Sequence, residues 1–323
     1  MRILVLGGTK FLGRHTVEAA LARGHEVTTF NRGRTRPELF PEVEKLRGDR
    51  DGELDALRGR SFDAVVDTSG YVPRVVGGTI EALGDVGHYT FVSTISVYAD
   101  ASVAPTEDSP LAELDAPTED VAEAYGALKA ECEEVVRGRF PDAFVPRPGL
   151  IVGPWDPTGR FTYWPSRFAD GGRVLAPAPP DADAQLVDAR DLAGWIVRAA
   201  EDGTAGTFNA VDRPVSRASL FDTCRRVAGA DAEVIWVDPA FLLEQDVAEW
   251  MELPLWLASS EYAGMLSVDP TPAFAAGLEA RPLEETVRDT LEWVRAGDAP
   301  ADTGAGLDRG KEQAVLDAWL SKR

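Results

Sequence analysis

A glycine-rich turn near the start of the chain constrains its fold more than any other feature of the sequence. An apolar run at residues 2–6 leads into Gly7-Gly8-Thr9-Lys10-Phe11-Leu12-Gly13, and a segment of helical periodicity follows at residues 11–23. In such a strand–turn–helix unit the first glycine permits a tight turn, the helix amides and dipole attract a diphosphate, and the last glycine lets the helix pack against the strand. The sequence therefore predicts a dinucleotide-binding site at this turn.

Short apolar runs alternate with helical segments, which predicts an α/β fold: a Rossmann-type doubly wound parallel sheet with a smaller C-terminal substrate domain. We predict strands at residues 2–6, 26–30, 64–67, 89–93, 143–147, 185–187, 207–211 and 233–237. We predict helices at residues 11–23, 73–83, 121–137, 283–295 and 308–320, with a weaker one near 54–57. Residues 1–150 are expected to form the NAD(P)-binding Rossmann domain, with returning segments near 185–211, and residues 151–323 the smaller substrate-binding domain and C-terminal helices.

The net charge and the short apolar runs together exclude several classes of partner. The chain has 54 acidic and 33 basic residues, a net charge of −21, whereas a nucleic-acid-binding surface should be basic. The longest apolar runs reach about four residues, far fewer than the roughly 18 that a membrane span needs. We therefore expect a small-molecule substrate, and neither a nucleic acid nor a membrane, as partner. The acidity is consistent either with a high-salt cytosol or with a GC-rich genome.

The cysteines and histidines do not form a metal-binding pattern. Cys132 and Cys224 lie far apart without ligand spacing, and the three histidines are scattered along the chain. We therefore predict no metal site, two reduced and buried thiols, and a cytoplasmic location. The N-terminal residues lack the features of a secretory signal.

The end of the second strand predicts the choice of cofactor. An acid there binds the adenosine 2′-hydroxyl of NAD, whereas an arginine pairs with the 2′-phosphate of NADP. The strand ends in Phe30-Asn31-Arg32-Gly33-Arg34, without an acid, so NADP is favoured over NAD, with Arg32 on the phosphate and Lys10 or Arg34 in support. The full set of predicted cofactor contacts is Gly7, Thr9, Lys10, Phe11, Leu12, Gly13, Asn31, Arg32, Asp49 at the adenine, Thr68, Ser69, Gly70, Lys129 and Pro148.

A tyrosine and a lysine are candidates for acid–base chemistry. Tyr125 and Lys129 are four residues apart on a predicted helix, hence on one face of it. A phenol is a poor acid or base at neutral pH until a nearby cation stabilises its anion, and a lysine can do this while binding a ribose. The hydroxyl residues Ser93, Thr94 and Ser96 follow the preceding strand, at the sheet edge where ligands bind, and could hold a substrate oxygen.

These motifs resemble the short-chain dehydrogenase/reductase superfamily, in its extended or atypical branch, the NAD-dependent epimerase/dehydratase family. The similarity rests on GGTKFLG, VSTISVY, YGALK, RPGLIVGP and LVDARDLA. The resemblance implies that Tyr125 is the acid–base residue and that Lys129 modulates its pKa and binds the ribose. It further implies that Thr94 orients the substrate oxygen. It also implies a homodimer, formed through the helix that bears Tyr125 and the helix predicted at residues 73–83.

Two departures from the family pattern affect the functional prediction. Lys10 replaces the middle glycine, as in an atypical subgroup that includes isoflavone-reductase-like proteins and plastid stem-loop RNA-binding proteins, some of them non-catalytic. Leu150 stands where sugar-nucleotide epimerases usually carry an asparagine. We predict hydride transfer between NADP(H) and a carbonyl or alcohol of a small, hydrophobic or ring-shaped substrate. The alternatives are a nucleotide-sugar epimerase or dehydratase, and a non-catalytic nucleotide- or RNA-binding protein.

The predicted substrate contacts come from the sequence after the fifth predicted strand. Residues 153–164 are rich in aromatic rings beside one acid and one arginine. Such rings can line a pocket for an apolar substrate, which makes Leu150, Trp155, Phe161 and Trp164 candidate contacts. The alternative is that Phe161 and Trp164 belong to the core of the small domain. The acidic residues 100–120 are predicted to form a solvated loop, with a substrate lid as the alternative.

Overall fold

A seven-stranded parallel sheet forms the centre of the protein, which a computed structural model describes over residues 1–322. The strand order is β11–β6–β5–β4–β1–β2–β3, so the order reverses between β1 and β4. This confirms the predicted α/β fold with a doubly wound sheet. The strands are β1 (Arg2–Leu6), β2 (Glu26–Asn31), β3 (Glu44–Arg47), β4 (Phe62–Asp67), β5 (Val86–Phe91), β6 (Phe144–Pro148) and β11 (Gly206–Ala210).

Helices cover both faces of the sheet because its strands are apolar on both sides. Ile3 and Val5 of β1 pack into one buried cluster, whereas Leu4 and Leu6 pack into another, as alternation along a strand requires. The first cluster includes side chains of α1 and α5, and the second includes side chains of α2 and α3. These helices are α1 (Phe11–Ala22), α2 (Pro73–Ala82), α3 (Val121–Arg139) and α5 (Ala189–Asp202).

A third buried cluster, built mainly from residues after 150, forms a second lobe. Phe161, Trp164 and Phe168 are fully buried in it. The helices outside the sheet layers are α4 (Tyr163–Ala169), α6 (Arg217–Ala228), α7 (Pro239–Glu244), α8 (Thr271–Ala275), α9 (Leu283–Arg295) and α10 (Arg309–Ser321). Three short sheets pair β7 (Ile151–Val152) with β10 (Val187–Asp188), β8 (Gly172–Pro177) with β13 (Ala232–Val237), and β9 (Asp183–Ala184) with β12 (Val215–Ser216).

The structure corrects several predicted elements. The strand expected at residues 185–187 is replaced by two-residue strands on either side of Gln185, whose side chain hydrogen-bonds the backbone of Asp212 and Val268. The weak helix near residue 55 is a single 3₁₀ turn, Asp55–Leu57. The five helices from α4 to α8 were not predicted. No helix within residues 1–322 is long and apolar enough to cross a bilayer.

A buried polar network joins α3 to the sheet. Glu133 accepts hydrogen bonds of 2.9 and 2.7 Å from the Arg147 guanidinium, which also donates to the Tyr98 hydroxyl at 3.0 Å. Burial opposes ionisation of Glu133, but the hydrogen bonds from Arg147 hold its pKa below the usual value. Arg147 also donates to the backbone oxygen of Glu107, and the Glu107 carboxylate accepts from the Asn209 amide. The acidic segment is therefore anchored at Glu107, although most of it is exposed.

Candidate active site

A cavity of about 540 Å³ lies at the carboxyl ends of the central strands, between the sheet and the second lobe. Loops after parallel strands meet at this edge, and the point where strand order reverses leaves a crevice there. The lining residues are Gly7, Gly8, Thr9, Lys10, Phe11, Leu12, Gly13, Thr68, Ser69, Tyr71, Val92, Ser93, Thr94, Ile95, Ser96, Tyr125, Lys129, Pro148, Gly149, Leu150, Ile151, Pro157, Thr158, Arg160, Trp250, Met265 and Leu266. Thr94, Tyr125, Lys129, Leu150 and the glycine turn thus share one cavity.

The glycine turn forms a cradle that side chains would fill. Gly7 has φ +115°, and a Cβ there would lie 2.8 Å from Thr68 Oγ1. A Cβ on Gly13 would lie 2.8 Å from the backbone nitrogen of Gly8, so glycine is needed where α1 meets the turn. Helix α1 has no side-chain cap and no acid in its first turn, which leaves its amides available to an anion. This arrangement fits the diphosphate of a dinucleotide.

Of the residues predicted to select the cofactor, Lys10 belongs to the cavity lining, whereas Arg32 and Arg34 lie outside it. Asn31 donates to Gly7 O at 2.8 Å and accepts from the Gly33 amide at 2.9 Å, so it ties the end of β2 to the glycine turn. Arg32 is exposed and lies 3.8 Å from the Asp49 carboxylate. The exposed Arg32 guanidinium and the Asp49 carboxylate thus lie side by side on the surface beside β2.

The loop after β4 is held in place by a buried ion pair. Asp67, fully buried, accepts two hydrogen bonds of 2.7 Å from Arg50. Asp67 also accepts from the Ser69 amide at 3.0 Å, and the Thr68 and Ser69 hydroxyls donate to Leu6 O. These bonds position Thr68 and Ser69 in the cavity wall.

Lys129 is the most buried charged group of the site. Its Nζ donates to Gly70 O and to Val92 O, both at 2.7 Å, and lies 4.0 Å from the centre of the Phe91 ring. Gly70 therefore contributes its carbonyl to Lys129 and is not part of the cavity lining. Burial lowers the pKa of Lys129 to about 8. An ammonium has three N–H donors, so these two bonds leave one for a ligand in the cavity.

Tyr125 and Thr94 lie together at the mouth of the cavity. Thr94 caps the short 3₁₀ helix Ile95–Val97 by accepting from the Ser96 amide at 3.1 Å. Burial raises the pKa of the Tyr125 phenol, and a hydrogen bond with Thr94 and the positive charge of Arg160 oppose that rise. The phenol is therefore protonated at neutral pH and able to donate. Tyr125 as a whole residue is 36% exposed, so a ligand in the cavity can reach it.

Gly126, which the sequence analysis overlooked, permits the approach of α3 to the loop bearing Thr94. A Cβ on Gly126 would lie 2.1 Å from the backbone oxygen of Ser96, which is closer than two non-bonded heavy atoms approach each other. The helix also departs from regular geometry at Ala124, with φ −125° and ψ 31°. Tyr125 therefore follows a kink and precedes a residue that has to be glycine. The glycine next to the tyrosine in the motif was the available signal.

Three of the four predicted substrate contacts do not line the cavity. Leu150 does, but Phe161 and Trp164 are fully buried in the second lobe, where Trp164 Nε1 donates to Pro254 O at 2.8 Å. Trp155 packs against Arg14, whose guanidinium lies 3.7 Å from its ring centre. The prediction that Trp155, Phe161 and Trp164 contact the substrate is wrong, because their rings pack between elements of the fold. The part of the cavity away from the glycine turn is called here the substrate half. It is lined by Leu150 together with Tyr71, Arg160, Trp250, Met265 and Leu266.

Two buried or half-buried acids, Asp188 and Asp191, have structural roles at the start of α5. Asp188 caps α5 by accepting from the Arg190 amide, and it also accepts from Thr286 Oγ1 at 2.7 Å. Asp191 accepts from Arg281 at 2.8 Å. Both acids join α5 to the region around α9 and lie outside the cavity lining.

Residues 3–77 match the family model described as NAD dependent epimerase/dehydratase family. The chain is 24% identical over 260 residues to the chloroplast stem-loop binding protein of 41 kDa b of Arabidopsis thaliana. It is 28% identical over 219 residues to 2′-dehydrokanamycin reductase of Streptomyces kanamyceticus. These matches cover 74% and 64% of the chain. They cover 66% and 56% of the two relatives, so the chain spans less than two thirds of either relative's length.

Several solved structures with similar folds are named as sugar-nucleotide epimerases. A nucleoside-diphosphate-sugar epimerase from Pseudomonas aeruginosa aligns with a TM-score of 0.67 at 19% identity, covering 92% of this chain and 98% of the other. UDP-glucuronic acid 4-epimerase from Bacillus cereus, solved with NAD, aligns with a TM-score of 0.63 at 18% identity, covering 92% and 99%. At these identities the likeness is evidence for the fold alone.

The strand order and the cavity define the chain as an α/β protein of Rossmann type, with a second lobe over the carboxyl edge of its sheet. The match over residues 3–77 supports the resemblance to the NAD-dependent epimerase/dehydratase family over that part of the chain.

The close contact at Gly126 predicts a position-specific effect of a single methyl group. Gly126→Ala should destabilise the protein by about 1–3 kcal/mol, because the backbone of Ser96 has to move. Gly138→Ala, in the same helix with nothing within 4 Å of its added Cβ, is the matched control and should be neutral or stabilising by up to about 1 kcal/mol. Urea unfolding of both variants measures the difference. Equal effects of the two substitutions would contradict the packing described at Gly126.

The buried ammonium of Lys129 predicts a pH-dependent stability. Because folding lowers its pKa from 10.5 to about 8, the unfolded chain binds more protons than the folded chain between these values. The Lys129 contribution to the free energy of unfolding should therefore increase as the pH rises from about 8 to about 10.5. Lys129→Met carries no titrating group there, so the wild type should gain stability relative to this variant across that range. Urea titrations at several pH values test this, and parallel curves for the two proteins would contradict it.

Proposed function

We propose that the chain is an NADP-dependent oxidoreductase that transfers hydride between NADP(H) and a carbonyl or alcohol group of a small, apolar or ring-shaped substrate. One observation carries the proposal: Thr94, Tyr125 and Lys129 line the same cavity as the glycine turn. Their residue types match the roles that the family resemblance implies. The name of one relative, 2′-dehydrokanamycin reductase, is that of a reductase.

Each residue of the trio has a distinct task in this reaction. When bound, the reduced nicotinamide supplies the hydride that a substrate carbonyl carbon accepts. Tyr125 donates its phenol proton to the carbonyl oxygen, which becomes the alcohol, and Thr94 holds that oxygen by its hydroxyl. The free N–H of Lys129 serves the ribose, while its other two N–H groups are bonded to Gly70 O and Val92 O. In the reverse direction the Tyr125 oxygen takes the proton back.

The proposed cofactor contacts follow from the cradle described above. The amides at the start of α1 and the Lys10 ammonium would hold the diphosphate, and Thr68, Ser69 and Pro148 would line the path toward the nicotinamide. The preference for NADP rests on Arg32, because no acid stands at the end of β2. A structural neighbour was solved with NAD, so the opposite preference is the alternative.

Two alternative functions remain as rivals with less support. A sugar-nucleotide epimerase would use the same trio, and the names of several structural neighbours favour it. However, Leu150 places an apolar side chain in the cavity where such epimerases carry an asparagine. An RNA-binding role, suggested by the name of the chloroplast relative, is disfavoured by a net charge of −21.

The proposed homodimer and the cytoplasmic location stay predictions. The dimer would use the outer faces of α2 and α3. Exposed residues on these helices include the charged Arg74, Glu81, Glu123, Glu134 and Arg139. An interface there would have to pair these charges with those of a second copy.

The role of Arg32 predicts a cofactor preference. The protein should bind NADPH more tightly than NADH, and Arg32→Ala should reduce NADPH affinity by roughly 10- to 100-fold, the value of one charge-assisted contact. NADH affinity should change little, because NADH lacks the 2′-phosphate. Fluorescence titration with both cofactors measures this, with the exposed Arg58→Ala as the control for loss of one positive charge. Equal affinities of the wild type for the two cofactors would reject the NADP assignment.

The role of Tyr125 predicts a separation of binding from turnover. Tyr125→Phe removes only the hydroxyl that transfers the proton, so NADPH binding should persist while turnover falls by about 10²- to 10⁴-fold. Lys129→Ala should impair both, and Thr94→Ala should act mainly on turnover. Tyr262→Phe, exposed and outside the cavity, is the matched control. A Tyr125→Phe protein that keeps more than about a tenth of the wild-type turnover would argue against the proposed proton transfer.

A further inference from the structure

The cavity has the opposite charge to the protein as a whole. Its lining includes three cationic side chains, Lys10, Lys129 and Arg160, and among the described residues no carboxylate lines it. The full chain carries a net charge of −21. A binding site that is positive within an acidic protein favours anionic ligands.

Two of the cations lie on the side of the glycine turn, in what we call the cofactor half of the cavity. Lys10 lies in the glycine turn, and Lys129 lies beneath the loops that follow β4 and β5. Arg160 comes instead from the loop between β7 and α4, together with Pro157 and Thr158. Its guanidinium lies 5.4 Å from the centre of the Trp250 ring. Arg160 therefore belongs to the substrate half, close enough to Tyr125 for its charge to act on the phenol.

The Arg160 guanidinium has few partners within residues 1–322. Its Nε donates to Thr158 Oγ1 at 3.2 Å, and its two terminal amino groups make no hydrogen bond or ion pair with a described residue. The nearby Asp156 carboxylate accepts from the Thr158 amide and hydroxyl, both at 2.8 Å. Burial lowers the pKa of Arg160, and the charge of Asp156 opposes that effect only in part. The terminal amino groups are thus available to the cavity.

Four other arginines with little exposed surface have acceptors for their charged ends, whereas the half-buried Arg160 has none for its terminal amino groups within residues 1–322. Arg50, Arg147 and Arg167 each donate to a buried carboxylate, respectively Asp67, Glu133 and Glu312. Arg217, without a carboxylate, donates to several backbone carbonyls. Burying a cation costs free energy unless an anion or hydrogen-bond acceptors compensate it. A ligand that brings its own anion would supply this compensation at Arg160.

We propose that Arg160 binds an anionic group of the substrate, a carboxylate or a phosphate, while Tyr71, Leu150, Trp250, Met265 and Leu266 contact its apolar body. The inference rests on the proposed function, because it assigns the substrate class of the same site. The planar guanidinium presents paired N–H donors that match two oxygens of either anion. The anion takes no part in bond making, since the hydride and proton go to the carbonyl group. The substrate class is therefore an apolar carbonyl or alcohol compound that carries one anionic group.

Binding of simple probes to the protein saturated with NADP⁺ tests this proposal. The probes are benzoate, phenyl phosphate and the neutral benzamide, measured by isothermal titration calorimetry. We expect at least one anion to bind about 10-fold or more tightly than benzamide, as a charge-assisted contact predicts. Arg160→Gln should remove this advantage. Arg225→Gln, an exposed arginine on α6 paired with Asp222, is the control for net charge and should keep it.

The results distinguish a carboxylate from a phosphate as the anionic group. They also distinguish failure of the proposal for Arg160 from failure of the proposed function. Benzoate binding alone assigns a carboxylate, and phenyl phosphate binding alone assigns a phosphate. Arg160→Lys should keep part of the preference for anions, since it retains the positive charge but not the planar pair of N–H donors. Equal binding of benzamide and the anions, or an unchanged preference in Arg160→Gln, overturns the proposal even where NADP⁺ binds normally. Failure of NADP⁺ itself to bind instead overturns the proposed function on which the inference rests.

Discussion

The ammonium of Lys129 is the interaction on which the arrangement of the site depends. It bonds the backbone after β4 and after β5 at once, through Gly70 O and Val92 O, and so fixes two adjacent loops to α3. The same helix carries Tyr125 one turn earlier. Burial, which lowers the pKa of Lys129 to about 8, shows that the protein tolerates a costly charge here. The position of the phenol relative to the sheet therefore follows from where this lysine is held.

Around Lys129, the loops are fixed by buried polar pairs rather than by apolar packing alone. The Arg50–Asp67 pair holds the loop after β4, and the Glu133–Arg147 pair joins α3 to β6. The missing Cβ at Gly126 then allows α3 to approach the loop of Thr94. Breaking a buried pair leaves an uncompensated charge, so each pair favours one geometry over its alternatives. The sheet edge is thereby preorganised before any ligand binds.

The sequence predicted the Rossmann half well and the substrate half poorly, for a physical reason. The glycine turn, the parallel strands and the helix of Tyr125 follow from local patterns, and the boundaries of β1 agree with the prediction. The lining of the substrate half depends on which side chains of the second lobe face the sheet. The local sequence does not distinguish an aromatic ring in a core from one in a pocket. Phe161 and Trp164 illustrate this, since both are fully buried. Trp250 and Leu266 line the cavity from segments without any local motif.

The proposed function requires that a nicotinamide dinucleotide binds in this cavity with its reactive end at the Thr94, Tyr125 and Lys129 trio. A crystal structure of the protein with NADP⁺ tests this requirement. We expect the diphosphate on the amides at the start of α1 and a ribose hydroxyl about 2.7–3.2 Å from Lys129 Nζ, a normal hydrogen-bond distance. The nicotinamide ring should then lie beside the Tyr125 hydroxyl. A dinucleotide bound elsewhere, or with its nicotinamide pointing away from Tyr125, would contradict the account.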